Sequence, residues 1–180
     1  MEKIINHKIN ILKYSIYTAI SLLSAIILPQ IFHAFGVAVG MGGSFGQMFL
    51  PMYLPVLILA FKTNAVAGVI AGVFSPLISY AISGMPTLVM LPLILIELVS
   101  FGVLAGLLSK KKINIFAKIL IVQISSRIIR IALTIVLSLF ISSITVSAMA
   151  VWNAFLLAIP GYILQLLVVP YFVNLKNFDL

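Results

Sequence analysis

Long apolar stretches dominate the chain and are separated by short groups of Pro, Gly or charged residues. A helix that crosses the hydrocarbon of a bilayer needs about 20 apolar residues. The pattern therefore predicts an all-α integral membrane protein with six transmembrane helices, at roughly 10–28, 48–62, 64–83, 86–109, 114–143 and 148–173. The second span is short and contains Pro51 and Pro55, so we expect a tilted or partly re-entrant helix that other helices cover.

The composition agrees with this class. The chain is 63% hydrophobic and only 8% charged, whereas a soluble domain is about 45–50% apolar and about 25% charged. Its 180 residues predict one membrane domain, 1–180. The charged N-terminus leads into an apolar run without a small-residue cleavage site, so we expect a retained span rather than a signal peptide. The absence of cysteine excludes disulfides, thiolate ligands and a cysteine nucleophile.

The lysines predict the orientation. All of them lie before or at the start of the first span, at the end of the second, between the fourth and fifth, near the start of the fifth, or after the sixth. These positions lie on one side of the membrane, which the positive-inside rule makes the cytoplasm, so both termini are expected inside. The net charge of +8 is then explained by membrane anchoring, and we expect no nucleic-acid partner.

The segment 29–47 is the longest connection in this topology and is predicted to lie outside. It contains five glycines: Gly36, Gly40, Gly42, Gly43 and Gly46. Glycine permits backbone conformations with positive φ and close backbone approach. The segment is also too apolar for a solvated linker, so we expect it to fold over the outer mouth of the bundle as a lid.

Three charged residues are predicted inside the membrane: Glu97, Arg127 and Arg130. A charge at the bilayer centre costs about 2.5–3.5 kcal/mol, so such residues usually face the bundle interior and pair. Counting from the helix ends places Glu97 level with Arg127 and predicts an ion pair between them. Arg130 shares the helix face of Arg127 one turn nearer the outside and is left without an acid. Backbone carbonyls, water or an anionic ligand group would satisfy it, and a planar guanidinium suits a carboxylate or a phosphate.

Other polar residues near the outer ends are candidate ligand contacts: Trp152, Asn153, His33, Tyr80 and Thr87. Trp152 has an alternative role as an interfacial anchor, and Asn153 as a bond to a neighbouring helix. Gln123 and Gln165 lie deeper and are predicted to join helices. Small residues spaced four apart, which allow close helix contacts, are Gly68 and Gly72, Gly102 and Gly106, Ser15 and Ala19, and Ser21 and Ala25. For the glycine pairs we expect packing inside the bundle.

The sequence lacks the motifs of several common classes of enzyme. No nucleotide-binding loop, H-E-x-x-H or G-x-S-x-G sequence occurs. Two separated histidines do not make a zinc site. We therefore expect no enzyme activity, no metal and no cofactor. One membrane carboxylate and no visible inverted repeat give little support for a proton-coupled carrier, so the chain has no evident energy source.

Five segments are similar to those of a known family. They are "IFHAFG" (31–36), "FLPMYLPVLILAF" (49–61), "AGVFSPLISYAISGMP" (71–86), "LPLILIELVSFGVLAGLL" (91–108) and "IPGYILQLLVVP" (159–170). Over nearly its whole length the chain resembles the substrate-binding S components of energy-coupling factor (ECF) transporters. The resemblance implies a bacterial plasma-membrane protein that captures a vitamin or similar micronutrient at its outer face. Its partners would be a membrane scaffold subunit and two cytoplasmic ATPases.

In that family the ligand site uses the outer halves of the last three helices and is closed by the loop after helix one. This arrangement would place Arg130, Trp152 and Asn153 near the ligand. Family members also topple in the membrane when the scaffold binds, and often carry Ala-x-x-x-Ala on helix one for that contact. This chain keeps the four-residue spacing on its first helix, but with serine in the first position, as Ser15/Ala19 or Ser21/Ala25.

The substrate stays open among pantothenate, niacin, folate-like pterins, lipoate and a queuosine precursor, several of which carry a carboxylate. The alternative function is a self-sufficient secondary carrier or channel that uses Glu97 as a protonatable group. A membrane-embedded enzyme or assembly factor is the least favoured hypothesis, because no nucleophile–base or metal set is present.

Overall fold

A computed structural model describes residues 2–42, 44–140 and 148–174. These residues form eight α-helices and no strand: α1 Glu2–Ala38, α2 Ser44–Phe49, α3 Tyr53–Lys62, α4 Ala65–Ser83, α5 Leu91–Ser109, α6 Ile115–Phe140, α7 Ala148–Leu157 and α8 Ile159–Asn174. Six segments of the described chain are long and apolar enough to cross a membrane, with α2–α3 and α7–α8 each forming one of them. The all-helical class and the six spans are therefore confirmed, while the orientation stays a prediction.

Helix α3 lies at the centre of the bundle. It contacts α1, α4, α5 and α8, and nearly all of its residues are buried. A helix that is apolar on every side is typical of such a central position. The core continues through Leu98 and Phe101 of α5 and Ile119 of α6. By contrast, α1 exposes a stripe of large aliphatic side chains that includes Leu12, Ile16 and Ile20, which suits contact with lipid.

Helices α4 and α5 are joined by glycines in direct backbone contact. A Cβ atom at Gly102 would lie 2.4 Å from the carbonyl oxygen of Gly68, and one at Gly72 would lie 2.8 Å from the carbonyl oxygen of Leu98. Gly106 packs as closely against the backbone of Ala65. We call this contact the glycine interface. The predicted internal packing of these glycines is confirmed, and no side chain fits between the two helices there.

Two of the six spans are interrupted. The second span breaks after α2, where Leu50 has a φ of 47° and Pro51 lacks the N–H that would continue a helix. It also begins at Ser44, before the predicted residue 48. The sixth span breaks at Ala158, between α7 and α8, two residues before Pro160. Non-helical backbone at membrane depth is tolerated where it is buried in protein or lines a cavity.

The predicted outer loop 29–47 is largely helical. Helix α1 runs through Pro29 to Ala38, so Pro29 does not end it as the sequence pattern indicated. The apolar residues that follow Pro29 explain the extension, because Phe32 and Phe35 pack against the ring of Phe45, with centroid separations of 5.8 and 5.2 Å. The described part of the connection is short, and Gly40 and Gly42 turn it with φ angles of 76° and 56°.

Candidate functional site

A cavity of about 350 Å³ lies at the end of the bundle opposite Lys62 and the lysines of 110–112. Its wall includes both helix breaks, the end of α1, the 84–90 connection and α6. The lining residues are Pro29, His33, Gly46, Gln47, Leu50, Pro51, Met52, Tyr53, Ser79, Met85, Pro86, Thr87, Met90, Ile94, Arg127, Arg130, Ala154, Leu157 and Ala158. Ligand pockets usually measure about 300–1,000 Å³. At about 30 Å³ per water molecule, this one suits a compact organic molecule.

The two helix breaks meet beside the cavity. Gly161, at the start of α8, packs against the end of α2, where an added Cβ would lie 2.7 Å from the carbonyl oxygen of Met48. Leu50, Pro51 and Ala158, which form the breaks, all line the cavity. Each break therefore brings irregular backbone to the cavity wall rather than to lipid. Discontinuous helices build the substrate sites of many transporters in this way.

A cluster of charged and phenolic groups forms one side of the cavity. Glu97 of α5 is fully buried. Its Oε2 atom accepts hydrogen bonds from Arg130 Nη1 at 2.5 Å and from the Tyr53 hydroxyl at 3.0 Å. Its Oε1 atom lies 3.5 Å from Arg127 Nε, an ionic contact without hydrogen-bond geometry. One carboxylate therefore bridges three helices, α3, α5 and α6.

Arg127 has a second partner on α8. Its Nε atom donates to the Tyr162 hydroxyl at 2.9 Å, and its Nη2 atom contacts the same oxygen. The guanidinium also lies 5.6 Å from the centre of the Tyr162 ring, within the range of a cation–π interaction. These contacts hold Arg127 against α8. We call the contacts among Glu97, Arg127, Arg130, Tyr53 and Tyr162 the polar interface.

The predicted ion pair between Glu97 and Arg127 is present, but the prediction that Arg130 has no acidic partner is wrong. We expected Glu97 to pair with Arg127 and to leave Arg130 without an acid. Instead Arg130 makes the shorter contact with Glu97, and Arg127 shares the carboxylate while bonding to Tyr162. Counting along antiparallel helices cannot resolve one turn, about 5.4 Å, because long side chains bridge that distance. The two arginines still carry one more charge than the acid neutralises, because one carboxylate faces two guanidinium groups.

The arginines and the glutamate differ in access to the cavity. The side chains of Arg130 and Arg127 are 20% and 11% exposed, whereas that of Glu97 is 1% exposed. Both arginines line the cavity, and Glu97 lies behind them. Because the compensating acid is screened from the interior, the wall that a ligand meets there is cationic.

His33 of α1 contributes a second polar group to the lining. Its ring packs on Gly46 of α2, where an added Cβ would lie 2.7 Å from the imidazole Cε1. A side chain at this position would therefore displace the His33 ring. The His33 Nδ1 atom is buried and makes no hydrogen bond with the described residues. Because Nδ1 has almost no accessible surface, a ligand in the cavity would meet the other atoms of the imidazole ring.

The other predicted contacts divide between the cavity and the surface. Thr87 lines the cavity, and Tyr80 is half-buried outside the lining. Trp152, which stacks on Phe155 at 6.0 Å, is 58% exposed, and Asn153 is also exposed. Their predicted place in the site is not found. The helical period explains this result, because residues 154 and 157 of α7 line the cavity, whereas residues 152 and 153 lie on another face of the helix.

The predicted scaffold residues on α1 also separate. Ser15 and Ala19 lie on its exposed face. Ser21 is buried and donates to the carbonyl of Pro55 at 2.9 Å, and Ala25 is fully buried. The Ser21/Ala25 pair is therefore used inside the bundle and is not accessible to a second protein. Only the Ser15/Ala19 alternative lies on a surface that a scaffold could reach.

The predicted lid glycines have different positions. Gly46 lines the cavity, and Gly36 packs against the carbonyl of Gly42, to which an added Cβ would come within 2.4 Å. Gly40 and Gly42 form the turn between α1 and α2, and Gly43 lies outside the described residues. An added Cβ at Gly40 or Gly42 would meet no atom within 4 Å, so the described part of the turn is open, and its function as a lid stays a prediction.

Sequence reasoning missed Tyr53 and Tyr162. The available signal was a tyrosine inside an apolar span, since a buried hydroxyl usually requires a partner.

The predicted role of the glutamines is confirmed, because Gln123 Nε2 donates to Gln165 Oε1 at 3.0 Å and joins α6 to α8. Within the described residues no group of three His, Cys, Asp or Glu could hold a metal ion.

No protein-family model matches the chain, and neither a curated protein nor a solved structure is significantly similar to it.

Proposed function

We propose that this chain is the substrate-capture (S) subunit of an ECF-type importer in a bacterial plasma membrane, and that it is not itself an enzyme. Its ligand is a vitamin or a similar micronutrient, held in the cavity beneath the α1–α2 turn. One observation carries the proposal: two interrupted helices meet at a cavity with a cationic wall, at the end of the bundle opposite the lysines. Transporters commonly build substrate sites from such breaks.

The energy source is external in this proposal. The sequence contains no nucleotide-binding loop, so ATP hydrolysis belongs to two cytoplasmic ATPase subunits, coupled through a membrane scaffold subunit. The exposed small residues Ser15 and Ala19 leave a face of α1 open to such a scaffold.

The environment of Glu97 argues against the secondary-carrier alternative. A carboxylate that carries protons in exchange for substrate needs access to water on each side. Glu97 is fully buried, is bonded to Arg130 and Tyr53, and lies outside the cavity lining. A neutral carboxyl there would also leave two guanidinium groups without an acidic partner inside the bundle.

The test is reconstitution with and without the partners. The tagged chain is expressed with an ECF scaffold and its two ATPases, purified, and placed in liposomes with a panel of radiolabelled vitamins. We expect a stable complex and uptake of one compound that requires ATP. Uptake by the chain alone, driven by a pH gradient and lost in Glu97→Gln, would support the carrier instead. Failure to form the complex, together with absence of binding across the panel, would refute the proposal.

A further inference from the structure

We propose that the cavity selects a ligand with a single negative charge, and that Glu97 sets this selectivity by neutralising one of the two arginines. The inference rests on the proposed function only in assuming that the cavity binds a ligand. It specifies the chemical class: a compact monoanion with a largely apolar body.

The ionised side chains beside the cavity give it a net positive charge. Glu97 is the only acidic residue between positions 3 and 178, and arginine stays protonated in proteins. Glu97 with Arg127 and Arg130 therefore carries one net positive charge. Lys62 and the lysines of 110–112 lie at the far end of the bundle. The cavity thus has one unit of positive charge for a ligand to neutralise.

Arg130 has hydrogen-bond donors that no described residue uses. Arg130 uses Nη1 for Glu97, and among the described residues its Nε and Nη2 atoms make no other hydrogen bond. Its side chain is also the more exposed of the two arginines. A carboxylate or a phosphate monoanion in the cavity could accept from these donors, and a planar guanidinium favours two-oxygen recognition. Glu97 does not oppose this ligand directly, because it lies behind the arginines.

The cavity lining beyond the two arginines has a different character. It is made mainly of apolar side chains, such as Met52, Met90 and Leu157, with His33, Gln47, Ser79 and Thr87 as hydrogen-bonding groups. Apart from Arg127 and Arg130, the described lining residues include no lysine or arginine. A second ionised group on the ligand would lose its hydration without gaining a counter-charge, which is costly in an apolar site. An uncharged ligand would leave the surplus charge without compensation.

Glu97 thereby determines ligand charge without touching the ligand. Replacing it with glutamine keeps the side-chain shape and an acceptor for Tyr53, but raises the local charge from one to two. Replacing Arg130 with glutamine lowers the local charge to zero. The two variants should shift the preference in opposite directions, which a merely structural role for Glu97 does not predict.

The experiment uses the purified full-length chain and matched probes. The monoanions are benzoate, 2-naphthoate and hexanoate; each is compared with its amide and with a dianion of similar size, phthalate, 2,3-naphthalenedicarboxylate or adipate. Dissociation constants come from thermal-shift titrations in detergent. We expect at least one monocarboxylate to bind tenfold or more tightly than its amide and its dianion. In Glu97→Gln the dianion should gain at least tenfold relative to the monoanion, and in Arg130→Gln the amide should bind at least as well as the acid.

Lys111→Gln is the matched control, because it removes one positive charge from an exposed site at the opposite end. It should leave the order of the probes unchanged. Equal binding of acid and amide in the wild type, or no binding by any probe, would overturn the inference. An unchanged preference of folded Glu97→Gln between dianion and monoanion would overturn the role of Glu97. If that variant does not fold, the wild-type order and Arg130→Gln still decide whether the cavity prefers a monoanion. Complex formation with the ATPases does not depend on ligand charge, so a failure here leaves the proposed function standing.

Discussion

Helix α5 takes part in two interfaces of opposite character. On one side it meets α4 through the glycine interface, where Gly68 and Gly102 bring the backbones into contact. On the other it meets α6 through the polar interface, where Glu97 bonds to Arg130 and, through Tyr53, to α3. The glycine interface has no spare volume and no spare hydrogen-bonding capacity. The polar interface has donors left over and borders a cavity.

The difference indicates a division of labour within the bundle. Backbone packing between small residues is the usual way to fix helices in a membrane, where the hydrophobic effect does not drive them together. Charged groups at depth are costly and usually functional. We therefore expect the α4–α5 contact to provide rigidity, and we propose ligand recognition for the face that α5 shares with α3 and α6.

The largest effect should come from filling the glycine interface. In Gly102→Val a Cβ would lie 2.4 Å from the Gly68 carbonyl, and the backbone there cannot yield as a flexible side chain can. Overpacking costs about 1–3 kcal/mol and occasionally more, so we expect loss of most monodisperse protein in size-exclusion chromatography. Ala81→Val, at an exposed position of α4, is the control and should behave as wild type. Normal yield of Gly102→Val would show that the helices separate easily.

The next effect should separate binding from folding at the polar interface. Arg130→Gln removes a charged donor from the cavity but leaves Glu97 in contact with Arg127. Hydrogen bonds to charged groups contribute about 1.5–3 kcal/mol, so we expect binding of a carboxylate ligand to weaken about tenfold or more, measured by equilibrium titration. Protein yield should change little. Unchanged affinity would show that Arg130 is structural.

The sequence predicted the number and approximate position of the spans because length and apolar character decide them. It also predicted the close contacts of Gly68 and Gly102 from their spacing. It failed where the partner or direction of a side chain depends on a rotation or shift of one helical turn, as with Arg130 and with Trp152. The continuation of α1 beyond Pro29 was missed because proline alone does not reveal whether neighbouring helices support the chain.

A smaller effect should distinguish the two tyrosines. Tyr53→Phe removes a hydrogen bond to buried Glu97, and Tyr162→Phe removes the acceptor of Arg127. Each loss should lower stability by about 1 kcal/mol or somewhat more, since a charged partner is involved. We expect Tyr162→Phe to weaken binding as well, because it releases an arginine that lines the cavity. Equal thermal destabilisation with no change in affinity for either variant would make the polar interface purely structural.

The smallest effect concerns the glutamines between α6 and α8. Gln165→Leu leaves the Gln123 amide without its acceptor on that side chain, so we expect a lower melting temperature in detergent. The double variant Gln123→Leu/Gln165→Leu should recover most of the loss, because replacing both partners with apolar groups is often nearly neutral. A double variant less stable than Gln165→Leu would indicate a role for Gln123 beyond this pair.

The most direct measurement is the identity of the compound that the protein carries from the cell. Wild type and Arg130→Gln are purified in parallel, denatured, and their bound small molecules identified by mass spectrometry. We expect one compact compound with a single ionised acidic group, abundant in wild type and strongly reduced in Arg130→Gln. A neutral, cationic or doubly anionic compound, retained equally by both proteins, would contradict it.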